Sequence, residues 1–594
     1  MTVGQRDRAP WERLLPGIAV LRGYDRAWLR GDVLGGITVT AYLVPQVLAY
    51  AEVAGLPAVA GLWAAGPGLL VYAVLGSSRQ LSVGPESTTA LMTAAGIGGL
   101  VTAAGGVVLR QEMAALMAVA VGIICLVGFV TRLGFLSHLL SRPVLVGYMA
   151  GIAVLMVVSQ IGKVTGIAVE GSSFPQEVVY AVTHLGQTHL PTLWLALGVL
   201  AVLLGFQRLA PTWPGPLIGM LGATVVVAAL DLVDTAGVKL VGHVPQGLPA
   251  VRLPDLGGVD LWALLPAALG VAVVAYSDNV LTGRAFAARH REAIDSNQEF
   301  LALGGANVAT GLLQGFPISS SGSRTVIADA MGARTQLHSL VSLVLVVATL
   351  LWLGPVIGAF PTAALGAVVV FAAIRLVDMG ELRRIAAFRR SELVLALATT
   401  AAVLLFGVLP GIGAAIALSV LDLLRRIVHP HDGVLGYVPD VAGMHDIDDH
   451  PDAVQVPGLV VYRYDSPLFF ANSDDFMTRA LAVADAAEAQ GDVAWFLLNA
   501  EANTEVDLTA VDALESLRRA LEDRGVVFAM ARVKEDLRVS LDAAGFLDDV
   551  GRDLIFPTLP TAVAGYAAWY EREHGAPPAG LRIPPVPAQP EPDA

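Results

Sequence analysis

Two short stretches decide the fold of this chain: SVGPESTT at residues 82–89 and QGFPISSSGSR at residues 314–324. Each leads into an apolar segment rich in Ser, Thr and Gly, near residues 86–100 and 319–332. A helix needs about 20 apolar residues to cross roughly 30 Å of hydrocarbon, so both segments are too short to span a bilayer. They therefore predict two partial helices that begin inside a membrane.

The composition indicates a membrane protein with many spans. Of the 594 residues, 55% are apolar and 15% are charged, whereas soluble domains carry about 25% charged residues. The formal net charge of -14 argues against a nucleic-acid partner, because such proteins present basic surfaces. The single cysteine, Cys125, excludes an internal disulfide.

Full-length apolar runs surround the two partial helices. Twelve of them lie near residues 33–53, 58–75, 113–131, 143–159, 191–207, 215–233, 260–282, 298–315, 336–353, 361–377, 391–408 and 410–428. With the partial helices, the sequence predicts fourteen membrane segments. If the N-terminus is cytoplasmic, nearly all loop arginines fall on the cytoplasmic side, as the positive-inside rule requires. We therefore expect a multi-pass protein of the plasma (inner) membrane with both termini in the cytoplasm.

The partial helices occupy matching places in the two halves of the membrane region, residues 32–233 and 259–429. Each is the third of seven segments in its half. Because seven is odd, the second half must be inverted across the membrane relative to the first. Inverted repeats with broken helices at matching positions predict a midplane binding site of a secondary transporter.

The rest of the chain divides by composition. Residues 1–31 are interpreted as a cytoplasmic N-terminal segment, residues 32–429 as the transport domain and residues 430–457 as a linker. Residues 458–574 alternate strand-like apolar runs with helical stretches, which predicts a small soluble α/β domain. The proline-rich residues 575–594 predict a disordered tail.

The start of a helix inside a membrane is a candidate anion site. Its first N–H groups have no partner within the helix, and it presents about half a positive charge. Two such starts that face each other, lined by hydroxyl groups, can hold an anion. We predict that Ser87, Thr88, Ser321 and Ser323 bind the substrate. The alternative is that Ser and Thr only allow the helices to pack closely.

Four charged residues, Glu86, Asp278, Arg324 and Asp329, fall in or at the edge of these membrane segments. Asp329 is expected at the cytoplasmic mouth and is given no role. An unsatisfied charge at a helix centre costs about 2.5–3.5 kcal/mol, so a function is expected for each of the other three. Asp278 and Thr282 are four residues apart on one helical face, where they can share a proton or a sodium ion. Arg324 is expected to hold the anion or to neutralise Asp278, and a purely structural pair with Asp278 is the alternative.

Glu86 is placed in the first turn of its helix, where a carboxylate is ordinarily a stabilising cap. It would also repel an incoming anion unless it were protonated. The hypothesis is that Glu86 takes up a proton as the anion binds. In the first span, Pro45 is expected to kink the helix, and Gln46 offers a hydrogen bond near mid-depth. A buried glutamine that merely joins helices is an equal alternative.

Several motifs together carry a family resemblance. In the membrane region they are VPQVLAYA at 44–51, AGLP at 54–57, VGP at 83–85, DSNQE at 295–299 and SR at 323–324. In the soluble region they are DSPLFFAN at 465–472 and DLTA at 507–510. The membrane region resembles the SulP anion transporters, or sulfate permeases, and the soluble region resembles their STAS domain.

The resemblance implies a fourteen-segment fold divided into core and gate parts. It implies an elevator-like motion and a homodimer with cytoplasmic STAS domains. It places the anion between the third and tenth segments, and the matching residues of this chain are Ser87, Thr88, Ser321 and Arg324. Gln46 of the first segment matches a position that faces the site.

The resemblance also assigns cation coupling to Asp278, with Thr282 beside it. Glu86 departs from the family, in which many members carry a small or apolar residue at this place. In the STAS domain, Thr509 stands where related proteins carry a phosphorylatable hydroxyl, and a simple helix cap after Asp507 is the alternative.

The favoured function is a transporter, not an enzyme, that imports a small inorganic oxyanion with protons. Moving sulfate inward against 100 mV costs roughly 4.6 kcal/mol, and protons on Glu86 and Asp278 would offset its two charges. Sodium-coupled bicarbonate symport, an uncoupled anion exchanger or channel, and a membrane-tethered sensor are the alternatives. Apart from the coupling proton or sodium ion no cofactor is expected, and the partner of the STAS domain is unknown.

Overall fold

Uncharged runs of Leu, Val and Ala fold as helices in a bilayer because each backbone N–H and C=O is then bonded within its own segment. The computed structural model describes residue 12 and residues 14–98, 100, 106–134, 141–169, 174–254, 261–438 and 441–578. Most of the predicted tail and the first residues of the N-terminal segment lie outside these ranges. The chain divides into two units, Met1–Ser419 and Val420–Ala594.

The first unit is helical. Its helices are α1 (Pro16–Arg22), α2 (Leu29–Val53), α3 (Val59–Leu75), α4 (Ser87–Gly98), α5 (Gly106–Val130), α6 (Arg142–Ser159), α7 (Ile161–Thr165), α8 (Phe174–Thr183), α9 (Leu190–Leu209), α10 (Gly215–Ala229), α11 (Leu232–Ala236), α12 (Leu261–His290), α13 (Ser296–Leu312), α14 (Gly322–Ala330), α15 (Leu337–Trp352), α16 (Gly354–Gly358), α17 (Thr362–Leu376), α18 (Met379–Phe388), α19 (Arg390–Phe406) and α20 (Val408–Val428), the last of which continues into the second unit.

The lengths of these helices fit a membrane domain. Within the described residues, seven helical stretches are long and apolar enough to cross a bilayer. Val59–Leu75, Gly215–Ala229 and Leu337–Trp352 are shorter apolar helices. The two segments predicted to be partial helices fold as α4, with 12 residues, and α14, with nine. Helix α2 continues through Pro45.

A two-stranded ribbon joins the sequences that precede α4 and α14. Strand β1 (Val83–Gly84) pairs antiparallel with β2 (Ser319–Ser320), with Val83 opposite Ser320. Two residues separate β1 from α4 and one separates β2 from α14. The ribbon therefore brings the amino ends of both short helices to one place.

The second unit contains a six-stranded sheet in the order β4-β3-β5-β6-β7-β8. Its strands are β3 (Asp432–Tyr437), β4 (Met444–Asp446), β5 (Leu459–Tyr464), β6 (Trp495–Asn499), β7 (Val527–Ala531) and β8 (Ile555–Phe556). Strands β5 to β8 are parallel, and β3 is antiparallel to both of its neighbours. Its helices are α21 (Ser473–Glu488), α22 (Leu508–Glu522), α23 (Glu535–Ala543), α24 (Phe546–Val550) and α25 (Leu559–His574).

Two predictions about this unit need correction. The segment 430–457 is not merely a linker, because β3 and β4 belong to the sheet. Helix α25 was not predicted, and its Tyr566 packs on Trp495 of β6 in a core on one face of the sheet. A larger core around Phe476 and Phe496 covers the other face, so the unit is an α/β domain with helices on both sides.

Candidate functional site

The starts of α4 and α14 are tied together by backbone and hydroxyl hydrogen bonds. The Ser321 N–H donates to the Ser82 carbonyl at 2.8 Å. The Ser82 N–H donates to the Thr325 hydroxyl at 3.0 Å, and that hydroxyl donates to the Ser321 carbonyl at 2.7 Å. These bonds fix the two helix starts beside each other, so their unpaired N–H groups share one region.

A cavity of about 400 Å³ lies at this junction. Its walls come from α2, the start of α4, α6, α12, the start of α14 and the end of α17. The lining residues are Gln46, Tyr50, Glu86, Thr88, Leu145, Val146, Met149, Asp278, Leu281, Thr282, Ser320, Gly322, Ser323, Phe371, Ala372, Arg375, Leu376 and Asp378. The volume suits a small ligand and its water shell.

Six of the nine membrane residues predicted for substrate or cation binding line this cavity: Gln46, Glu86, Thr88, Asp278, Thr282 and Ser323. The other three, Ser87, Ser321 and Arg324, are fully buried outside its lining. Ser87 donates to Glu86 at 3.0 Å, and the hydroxyls of Ser321 and Ser323 are 3.2 Å apart. Beside α14, the cavity is therefore bordered by Ser323, as predicted, and by Ser320 in place of Ser321.

Arg324 is paired with Glu86 and not with Asp278. Its Nη1 atom lies 3.7 Å from Oε2 of Glu86 and donates to the Pro85 carbonyl at 3.0 Å. In this conformation the charge of Arg324 is thus paired with Glu86, and neutralisation of Asp278 between transport events stays a prediction. Glu86 lies just before α4 and not, as was predicted, in its first turn. Its backbone carbonyl accepts the hydrogen bond from the N–H of Ala90 at the start of the helix.

Arg324 has spare hydrogen-bonding capacity. Its side chain is 0% exposed, yet Nε and Nη2 have no acceptor in the described residues. The Oε1 atom of Gln46, also buried, has no donor there. Buried polar groups without partners cost about 1–3 kcal/mol each, so such groups beside a cavity favour a ligand that satisfies them.

Asp278 comes from the middle of α12 and lines the same cavity. Its Oδ2 atom accepts a long hydrogen bond, 3.4 Å, from the Ser320 hydroxyl. Thr282 follows one turn later and lines the same cavity. Carboxylate and hydroxyl oxygens of this kind suit a proton or a hard cation such as sodium.

Sequence reasoning missed four polar residues of the cavity: Tyr50, Ser320, Arg375 and Asp378. Tyr50 was detectable, because it lies four residues after Gln46 on the same helical face. Arg375 lies at the end of the predicted span 361–377 and Asp378 just after it, and nothing local indicates that the end of α17 borders the cavity. Asp378 caps α18, where it accepts from the Glu381 N–H at 2.9 Å.

Glu299, from the DSNQE motif, forms a second buried polar centre close to this wall. It is 0% exposed. Its carboxylate accepts from the Tyr72 hydroxyl at 2.8 Å, from the Ser77 N–H and hydroxyl at 2.9 and 2.6 Å, and from the Asn279 amide at 2.6 Å. Asn279 is the neighbour of Asp278, so this centre ties the Asp278 segment of α12 to α3 and α13.

In the second unit, Thr509 is exposed in the first turn of α22. The cap of this helix is Asp507, which accepts from the Ala510 N–H at 2.9 Å and from the Phe470 N–H at 2.8 Å. The side chain of Thr509 is thus on the surface, and Asp507 performs the capping.

With the site described, the family follows from comparison with known proteins. Residues 29–399 match the model of the sulfate permease family. The chain belongs to this family. Residues 450–562 match the STAS domain. The resemblance inferred from the motifs is therefore confirmed, and so is a helical membrane domain followed by a C-terminal STAS domain.

Members of the sulfate permease family with similar sequences are named as transporters. A protein of Mycobacterium tuberculosis named a probable sulfate transporter is 57% identical over 551 residues, which cover 93% of this chain and 98% of the relative. Human solute carrier family 26 member 6 is 30% identical over 77% of this chain and 63% of its own length. The protein is thus a multi-pass membrane transporter and not an enzyme.

Solved structures agree on the fold. Murine Slc26a9, an anion transporter in the inward-facing state, has a TM-score of 0.84 at 23% identity and covers 96% of both chains. The transmembrane domain of the cyanobacterial bicarbonate transporter BicA has a TM-score of 0.58 at 22% identity, over 67% of this chain and 98% of that one. At these identities the likeness establishes the fold alone.

Proposed function

We propose that this sulfate permease family member imports a small inorganic oxyanion, preferably sulfate, together with protons. The observation that carries the proposal is the buried Arg324 guanidinium, with unpaired N–H groups, behind a cavity at two helix amino ends. An anion in this cavity would be attracted by the charge of Arg324 and by the dipoles of both helices together. The name of the mycobacterial relative supports sulfate as the substrate.

The substrate-binding residues are Gln46, Ser87, Thr88, Ser321, Ser323 and Arg324. Gln46, Thr88 and Ser323 contact the anion directly from the cavity wall. Ser87 and Ser321 act from behind it, through Glu86 and Ser323, with which they share hydrogen bonds. Arg324 supplies the positive charge.

Proton coupling uses Glu86 and Asp278, the two carboxylates in the cavity wall that lie inside the membrane. In its ionised form Glu86 neutralises Arg324 at 3.7 Å and repels an anion. A proton on Glu86 releases the charge of Arg324 for the anion. Asp278, beside Thr282 and Ser320, carries the second proton, so that a dianion enters without net charge movement.

Transport proceeds by an elevator-like motion of a core part past a gate part, in a seven-plus-seven inverted arrangement. In each half, a long helix and a 17-residue helix precede a partial helix, as α2, α3 and α4 and again as α12, α13 and α14. The antiparallel pairing of β1 with β2 supports inversion, because the strands run in opposite directions towards one site. The native assembly is a homodimer in the plasma (inner) membrane, with cytoplasmic termini.

The test is uptake of labelled sulfate and bicarbonate into proteoliposomes under an imposed proton or sodium gradient. We expect an inward proton gradient to drive sulfate accumulation, and Asp278→Asn to abolish the response to the gradient. Asp329→Asn, a change in a carboxylate outside the cavity lining, is the matched control. Gradient-independent flux would instead identify an exchanger or channel.

Sodium-coupled bicarbonate symport is the second candidate, favoured by the oxygen ligands of Asp278, Thr282 and Ser320 around one position. Accumulation of bicarbonate under a sodium gradient, lost in Thr282→Val, would support it. Negligible flux of every anion, together with capture of a cytoplasmic protein by the STAS domain, would identify a sensor. Phosphorylation of the exposed Thr509 is the regulatory step proposed for that domain.

A further inference from the structure

A basic segment, residues 375–390, connects two apolar helices of the membrane domain. It comprises the end of α17, the ten-residue α18 and the start of α19. Only Val377 and Asp378 separate α17 from α18, and only Arg389 separates α18 from α19. Because such short connections cannot reach far from the flanking helices, and because charged residues are costly in hydrocarbon, we expect α18 to lie at the surface of the bilayer.

Helix α18 has separate apolar and basic sides. Leu382, Ile385 and Ala386 share one side at helical spacing, and Ile385 is 5% exposed against the protein. Arg383 and Arg384 lie on the opposite side and are exposed. The apolar side of α18 therefore packs against the protein through Ile385, which leaves the basic side exposed.

Two large apolar side chains remain uncovered at the ends of α18. Met379 is 53% exposed and Phe388 is 69% exposed. The Arg389 guanidinium lies over the Phe388 ring, 5.5 Å from its centre. An aromatic ring with an arginine above it is the pair expected where acyl chains meet charged headgroups.

The positive charge of the segment is largely uncompensated. Residues 375–390 contain five arginines and two acids, Asp378 and Glu381. Glu381 is already shared between Arg142 at 3.2 Å and Arg384 at 3.6 Å. In the described part of the chain, Arg383, Arg389 and Arg390 form no ion pair with a carboxylate.

We propose that this segment is a binding site for anionic phospholipids. Arg383, Arg389 and Arg390 hold the lipid phosphate, and Phe388 and Met379 insert beside its acyl chains. A lipid fits better than a soluble anion because the charges and the exposed apolar side chains occur together at the bilayer surface. The transport cavity is not lined by the residues that hold the lipid, which are Met379, Arg383, Phe388, Arg389 and Arg390. The proposal therefore does not depend on which anion is carried.

The test is lipid binding to the purified full-length chain, measured by mass spectrometry of the intact complex during titration with phosphatidylglycerol or phosphatidylcholine. We expect tighter binding of phosphatidylglycerol. In Arg389→Gln/Arg390→Gln its dissociation constant should rise by about fivefold for each charge removed. Arg389→Lys/Arg390→Lys should bind almost as well as the wild type, since a phosphate accepts either cation.

Arg132→Gln/Arg208→Gln is the matched control, because it removes two exposed arginines after other membrane helices. It should change the dissociation constant less than twofold. Equal binding of both lipids by the wild type, an equal loss in the control, or displacement of bound phosphatidylglycerol by millimolar inorganic phosphate would overturn the proposal. A circular dichroism spectrum matching the wild type would check that each variant is folded.

Discussion

At the scale of single residues, the contact that matters most is the one between Glu86 and Arg324. An isolated guanidinium at this depth would be costly, and so would an isolated carboxylate. At 3.7 Å each lowers the cost of the other, but several donors of Arg324 stay unpaired. Glu86 alone does not satisfy all the N–H groups of Arg324. Arg324 is therefore suited to exchange Glu86 for a substrate anion.

Replacing Glu86 with glutamine tests this exchange. If a proton must enter before the anion, the apparent KM for the anion falls as pH falls in the wild type. In Glu86→Gln the charge is permanently absent, so KM should be low and nearly independent of pH. The measurement is the apparent KM for the anion, taken from initial uptake into proteoliposomes over a series of pH values.

Glu112→Gln serves as the control for this experiment, because Glu112 lies away from the cavity and is exposed. It should keep the pH dependence of the wild type. A pH dependence unchanged in Glu86→Gln would remove Glu86 from the coupling mechanism.

Glu299 gives a prediction about stability. Its two oxygens accept four hydrogen bonds, and a glutamine would turn an NH2 group towards two of these donors. We expect Glu299→Gln to lower the free energy of unfolding by roughly 1–3 kcal/mol, the cost of leaving buried donors without an acceptor. Thermal unfolding in detergent measures it, and a midpoint equal to that of the wild type would contradict the assignment.

At the scale of elements, helix α6 approaches α19 at a glycine. A Cβ atom at Gly147 would lie 2.0 Å from the Ala396 carbonyl oxygen, so the two backbones must separate if a side chain is added. We expect Gly147→Ala to cost about 1–3 kcal/mol, as overpacking does elsewhere. Gly198→Ala in α9 is the matched control, since a Cβ there meets nothing within 4 Å. Equal thermal midpoints in the two variants would argue against this contact.

Helix α22 gives a prediction about pH. Hydrogen bonds from the Arg518 guanidinium lower the pKa of Glu515 below its usual range. Its contribution to stability is therefore present above the ordinary glutamate pKa of about 4.3 and is lost as pH falls through the folded value. Glu515→Gln should thus destabilise the STAS domain slightly, by about 0.2–1 kcal/mol, at pH 7.

At pH 2 the difference between Glu515→Gln and the wild type should vanish, because both side chains are then neutral. Unfolding by urea, followed at both pH values, measures it. Glu573→Gln, a change in an exposed glutamate of α25, should show no such pH-dependent difference. A difference that persists at pH 2 would mean that the side chain stabilises the domain by something other than its charge.

At the scale of the whole molecule, each of the two units has its own hydrophobic core. We expect two unfolding transitions in calorimetry of the full-length chain. Phe476 is 0% exposed in the STAS core, so Phe476→Ala should lower one midpoint through a loss of about 3–5 kcal/mol. Gly147→Ala should lower the other. A single transition that both variants shift together would contradict independent cores.

Much of this architecture could be predicted from the sequence. The positions of the apolar helices, the two short ones among them, followed from the length of uncharged runs, which is a local property. The small α/β domain followed from strand and helix alternation, but α25 was missed. The segment 430–457 was misread because β4 has only three residues and two glycines interrupt the apolar pattern of β3. The place of β3 in the sheet depends on its pairing with β5, which comes later in the chain.

By itself, the sequence determined that the protein has membrane helices, where they lie along the chain, and which residues could carry charge inside the bilayer. Backbone groups in hydrocarbon must be bonded locally, so length and polarity suffice for these features. Only the tertiary structure decided that Arg324 pairs with Glu86, that Ser87 and Ser321 lie outside the cavity lining, and that Arg375 borders it. These contacts join residues far apart in the chain, and their geometry depends on the crossing angles and rotations of the packed helices.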